Sequence, residues 1–293
     1  MTNPVYFSFQ KTIWLYLNLF FCLFIILTEI NKDVILLSIF ISIFTISLGH
    51  SIGLHRGIIH KSYSTSIIFR NFLLILFVFT GMGSPLSWIK LHYTRDFWQN
   101  KPSCHPYLGY QHSLWKDYIW YLHYSFTVTA DDLKDYGFPE EFYQDRFINF
   151  LHKSWFLFNI IPAISVWLFW GFQAFIILFP LRISINLLMH WFIGYISHTH
   201  GYRKYIISEA NESGYNHLLL GIISFGEGFH NNHHAFPSSS RLGIRWFEFD
   251  LSWQLIKVLK FFKIIWNVKT ADRETLKSTV IELEKTEWNL KNF

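Results

Sequence analysis

The sequence predicts an all-α integral membrane protein, with four transmembrane helices in two hairpins and a cytosolic helical cap. Three observations lead there. Of 293 residues, 51% are hydrophobic and only 15% are charged, whereas an ordinary soluble domain carries about a quarter charged. The long apolar runs come in two pairs, each joined by a turn of a few residues. Of the 25 Lys and Arg, all but Lys32 and Arg182 lie in the N-terminal tail, the 54–153 region or the 201–293 tail. The 32 Phe exclude a disordered chain. What this class leaves unexplained is a surplus of 15 histidines.

A spanning helix needs roughly 20 apolar residues at about 1.5 Å rise each. The run Ile13–Leu27 fits a span over about 12–30, and Val34–Leu48 returns within a span over about 34–53 after the polar turn Glu29–Asp33. No basic n-region or small-residue cleavage site marks the first run, which is expected to be retained. The run Asn71–Phe79 is too short to cross and reads as a partly embedded helix. A second pair, 155–170 and 172–194, turns at Gly171. The positive-inside rule then puts both termini and both long polar regions in the cytoplasm. Arg182, inside the fourth run, either snorkels, faces a wet cavity or meets substrate.

The simplest division is a membrane domain over 1–266 and a polar helical tail over 267–293. Near the end of the first, Lys257, Lys260 and Lys263 sit three apart among large apolar residues. That pattern suits a helix lying on an anionic membrane face. Two cysteines, Cys22 and Cys104, cannot make a disulfide framework, so a metal site must use nitrogen and oxygen ligands. A net charge of +5 suits acidic head groups or carriers, and no nucleic-acid partner is expected.

Most histidines fall in four groups at the ends of apolar runs. They are His50, His55 and His60; His92, then His105 and His112; His190, His198 and His200; and His230, His233 and His234. Residues three and four apart share a helix face, so the last three converge. His55 and His60 are five apart, about 140° round an α-helix. They share a site only if the helix ends between them; otherwise each serves a different ion. His190 and His198 lie about 12 Å apart along a helix, which makes His198 the better ligand. His152 and His217 read as ordinary packing residues, while His123 and His200 stay unassigned. The H-E-x-x-H string of zinc proteases is absent, and only one Glu-x-x-His pair occurs, Glu227 with His230. So many imidazoles in separate segments suit two metals, and two histidine-bound irons point to oxygen activation.

GLHRGIIH resembles the first histidine box of the integral-membrane fatty acid desaturases, the stearoyl-CoA desaturase-like group. GEGFHNNHHAFP, followed by RLGIRWFEFDLSWQLIKVL, is similar to their third box, and the likeness covers roughly residues 10–265. The resemblance implies a four-helix stem under a cytosolic cap, and two iron ions held by His55, His60, His92, His198, His230, His233 and His234. It implies O₂ as co-substrate, an acyl chain in a bent tunnel, and electrons from a separate small haem or iron–sulfur protein. The acyl group could ride on CoA, a carrier protein or a glycerolipid.

Two departures stand out. Where the family's second box reads H-x-x-H-H, this chain has His92-Tyr-Thr-Arg95-Asp96. Asp96 is therefore a candidate replacement ligand, and Arg95 a partner for a carboxylate or a substrate anion. Where the family places an asparagine holding a metal-bound water, four residues before His198, this chain has Gly194. His50 and His190, with Glu227, are candidates for contacts behind the ligands; His105 and His112 could fill a vacancy. Gly81 and Gly83 could shape the tunnel. The expected activity is acyl desaturation. A hydroxylase on the same scaffold is the alternative, and a membrane metal- or lipid-binding protein without turnover is a third reading.

Overall fold

A computed structural model describes residues 4–283 of the chain. It is mostly helical, with three small antiparallel strand pairs and no larger sheet among the described residues. Three stretches are long and apolar enough to cross a membrane: Phe9–Leu27, Lys32–Ile59 and Leu157–Thr199. The first starts at Ser8, whose hydroxyl accepts from the Lys11 amide, and the second at Asn31, whose side chain accepts from the Asp33 amide. Such caps satisfy amides that a helix start leaves free.

The third stretch is not one straight rod. Gly171 has φ 88° and ψ 172°, a backbone region open to glycine because it has no Cβ. Trp167 and Phe175 pack at 5.8 Å between ring centroids, although eight residues of straight helix would separate them by about 12 Å. The chain therefore reverses at Gly171, where the sequence places the turn.

The short apolar helix runs Ile67–Phe79 and lies against the second stretch. Gly49 and Gly53 make that contact possible: a Cβ on Gly49 would fall 2.4 Å from the Phe77 amide nitrogen, and one on Gly53 would fall 2.7 Å from Leu73 Cβ. A helix that ends inside the molecule leaves carbonyls without intrahelical partners. Here four successive carbonyls receive side-chain donors. Val78 accepts from Asn159, Phe79 from Arg182, Thr80 from Asn186 and Gly81 from Trp14. Arg182 is thus a buried cap at a negative helix end, which accounts for a cation within an apolar run.

The helix Leu251–Phe261 buries Ser252 and Ile256 and leaves Val258 and Phe261 exposed beside Lys257 and Lys260. The tail departs from expectation. Its described part, up to residue 283, contains no helix, and Val280–Glu282 pairs with Tyr205–Ile207 as a strand. Consecutive β-branched Thr279, Val280 and Ile281 favour that extended form. The remainder of the expected tail, 284–293, lies outside the described residues.

Candidate metal centre

The first histidine pair is set by unusual backbone winding. Thr45–Ile59 is wound as a π-helix, whose hydrogen bonds run between residues five apart. The His60 amide donates to the His55 carbonyl at 3.1 Å, and the two rings lie 4.8 Å apart. His92 comes from the Pro85–Gln99 helix, which starts at the Ser84 cap with proline in its first turn. His198 stands near the end of Arg182–Thr199.

The other three come from the short helix His230–Ala235, and its asparagines explain which way it faces. Asn231 bonds the Tyr205 amide and carbonyl and the Ser213 carbonyl, while Asn232 bonds the Leu242 carbonyl and Glu248. With both amides tied to the neighbouring loops, His230, His233 and His234 turn the other way. Gly228 precedes this helix because a Cβ there would lie 2.5 Å from the Gly221 nitrogen.

Two groups of imidazoles result. His55, His60, His92 and His233 form one, and His198, His230 and His234 the other; within each, the ligand atoms lie within 4.8 Å of one another. His230 and His233 bridge the groups at 5.3 Å between rings. His60 Nε2 and His92 Nε2 are 3.3 Å apart, the spacing expected of two nitrogens on one ion at about 2.0–2.1 Å each. Burial first, then the neighbouring imidazoles, hold His60, His230, His233 and His234 well below the ordinary imidazole pKa. They stay neutral, the form that binds metal. The donor set therefore fits two metal ions.

The sequence matches the Fatty acid desaturase family over residues 34–259. The chain belongs to the fatty acid desaturase family. It is 30% identical over 230 residues to the sn-1 stearoyl-lipid 9-desaturase of Anabaena variabilis, across 78% of this chain and 80% of that protein. Delta-9 acyl-lipid desaturase 2 of Arabidopsis thaliana is 28% identical over 222 residues, across 74% and 68%. The Acyl-CoA 5-desaturase AL21 of Anemone leveillei is 23% identical over 223 residues, across 75% and 67%.

In this desaturase a carboxylate oxygen lies near Nδ1 of three imidazoles, Glu227 at 2.6 Å from His55, Asp96 at 3.3 Å from His92 and Glu212 at 3.6 Å from His198, none of them in hydrogen-bonding alignment. A carboxylate hydrogen-bonded behind a metal-binding imidazole typically orients the ring and leaves its other nitrogen for the metal. Burial works to raise the Glu227 carboxyl, but His55, Arg56 and His50 outweigh it and hold it well below its usual range. At Glu212, burial likewise opposes a net lowering caused by His198, the Gly214 amide and Arg203. Asp96 lies outside both converging groups, beside the His92 nitrogen that does not face His60. Glu227 lies beside His55 Nδ1 and 3.6 Å from the Arg56 guanidinium. Glu212 had no signal in the sequence, because only the fold brings it to His198.

The remaining histidines are placed elsewhere. His50 and His190 pack edge to face at 4.8 Å and close on Trp88; they line the cavity without joining either group. His105 and His112 lie outside both groups: His105 accepts from the Tyr107 amide, and His112 pairs with Asp117 at 2.7 Å. Arg95 meets no carboxylate within 4.0 Å among the described residues. Its Nη1 donates to Tyr110 Oη at 2.8 Å.

A cavity of about 310 Å³ is lined by every histidine of the two groups except His60, together with apolar Ile43, Ile46, Leu54, Ile185 and Met189. A larger one, about 770 Å³, holds Lys11, Lys90 and several hydroxyls, and shares Trp88, Leu91 and His190 with the first. Gly83 lines the larger cavity. Gly81 instead packs beneath Ile183, where a Cβ would meet its side chain at 2.6 Å.

Proposed function

We propose that this family member is an oxygen-dependent fatty acyl desaturase with a two-iron centre held by its seven converging histidines. The observation that carries the reading is the pair of imidazole groups opening on one largely apolar cavity. Bound iron would supply the oxygen chemistry needed to oxidise an unactivated methylene. The chain's own residues do the rest. His55, His60, His92 and His233 would hold one ion, and His198, His230 and His234 the other. Glu227, Asp96 and Glu212 orient three of these rings, so Asp96 is a positioning carboxylate.

The apolar walls exclude water and select which carbons lie near the irons. The larger cavity, with Lys11 and Lys90 at its polar walls, receives the polar end of the substrate. Relatives named for stearoyl-lipid and acyl-lipid desaturation favour a glycerolipid-linked acyl chain. In this reading the chain makes four spans, with the reversal at Gly171 closing the second hairpin. The histidine-bearing cap and both termini are cytoplasmic, the membrane domain covers 1–266, and 267–293 is an appendage. A separate small electron-transfer protein reduces the site.

Expression in a host unable to make unsaturated fatty acids, followed by lipid mass spectrometry, tests the reaction. A new double bond supports it. A mass gain of one oxygen would instead mark a hydroxylase, and unchanged lipids with an iron-free purified protein would end the proposal.

A further inference from the structure

The two imidazole groups are unequal, four against three, and the shortfall has a neighbour. Three nitrogen donors leave at least one position open for an oxygen ligand such as water. Beside the smaller group, the Tyr110 ring stacks on His198 at 4.1 Å and 8°. Tyr110 is buried, at 5% exposure, and its hydroxyl oxygen lies 3.8 Å from where a Cβ on Gly194 would stand. Gly194 is one turn before His198 on the same helix face. Tyr110, Gly194, His198, His230 and His234 all line the same cavity.

The hydroxyl is held from behind. Arg95 Nη1 donates to it at 2.8 Å, and the guanidinium also lies over the Tyr110 and Tyr121 rings at 5.5 and 5.3 Å. Because Tyr110 Oη accepts this bond, its own hydrogen remains to be donated, and it meets no acceptor among the described residues. Parallel stacking fixes what the group can do. The phenol stacks one ring contact away from the imidazole of His198, whose nitrogen would hold the metal. A ring stacked at 4.1 Å stands off further than a metal–oxygen bond of about 2.0–2.2 Å, so the hydroxyl's part would be to donate to an oxygen ligand.

We infer that Tyr110, oriented by Arg95, is a positioning residue for the smaller group and holds the oxygen ligand of the metal bound by His198, His230 and His234. The two departures in this chain, Arg95 in the second box and Gly194 before His198, are then one linked change. Arg95 orients the phenol, and its hydroxyl lies directly beside Gly194, at ordinary contact distance from where a Cβ would stand. This rests on the two-metal reading proposed above.

Cobalt(II) titration of the metal-free, detergent-purified full chain tests it, with binding and visible ligand-field bands followed together. Two steps are expected, and His234→Ala identifies the smaller group by removing one of them. Tyr110→Phe keeps the stacked ring and deletes only the oxygen. It should weaken that step about 10- to 100-fold and change its band, as loss of a supporting partner does, while leaving the other step intact. Arg95→Gln should act in the same direction, and the double variant should be no worse than the weaker single, because both act through one hydrogen bond. Unchanged affinity in Tyr110→Phe, or equal weakening of both steps, overturns the assignment. So does an Arg95→Gln variant altered only in KM for the acyl substrate. A wild-type chain that takes up no cobalt overturns the metal centre itself.

Discussion

His60 follows His55 by five residues, yet the two rings lie 4.8 Å apart because the His60 amide bonds the His55 carbonyl. In an α-helix they would diverge by about 140°. The π winding of Thr45–Ile59 places them on one face, with His50 a further five residues back and 6.2 Å from His55.

That winding predicts a failed rescue. On the two-metal reading, His60→Ala leaves three imidazoles in its group and should weaken metal binding there, lowering the metal content below that of the wild type. Adding Ile59→His, which would restore the site on an α-helix, should not recover it. Iron counting by elemental analysis checks this, and recovery by the double variant would refute the π-face account.

The carboxylates behind the ligands should matter in proportion to burial. Glu227→Gln and Glu212→Gln should each weaken metal binding about 10- to 100-fold, at different groups. Asp96→Ala should keep both metals, with a smaller loss, because its side chain is 41% exposed. Loss of a whole metal from Asp96→Ala would make it a ligand instead.

Asn186→Leu should destabilise the fold by about 1–3 kcal/mol, the cost of a buried carbonyl left without a donor, here that of Thr80. Arg182→Leu should cost at least as much through the Phe79 carbonyl. Thermal unfolding in detergent measures both. A neutral result would mean that water replaces these caps.

The metal-free protein should lose stability as pH falls below about 6.5. His60, His230, His233 and His234 have folded pKa values well below the ordinary one. Below about 6.5 the unfolded chain therefore binds more protons than the folded one, and stability rises with pH in that window. Melting temperature between pH 7.5 and 5.5 in the presence of a chelator tests the sign, and His233→Asn should flatten the slope.

Much of the site was legible because its parts are local. Three histidines at i, i+3 and i+4 must share a helix face, and the asparagines between them are free to turn outward. The break at Gly171 was legible for a similar reason, since a lone glycine divides two apolar runs. Other roles were not. Arg182 could be read as snorkelling, facing water or meeting substrate, because its partner Phe79 is a carbonyl 103 residues away. The tail was expected to be helical from its polar, mixed charge, but β-branched Thr279–Ile281 found an edge at Tyr205–Ile207.

By itself, then, the sequence determined a membrane-embedded, histidine-rich chain of the desaturase kind, because hydropathy and residue spacing act over short distances. Only the tertiary structure decided how the seven imidazoles divide into four and three. It also brought Asp96 to 3.3 Å from His92 and Tyr110 and Arg95 together beside Gly194. Those outcomes depend on helix winding and on contacts between segments far apart in the chain, which no local pattern records.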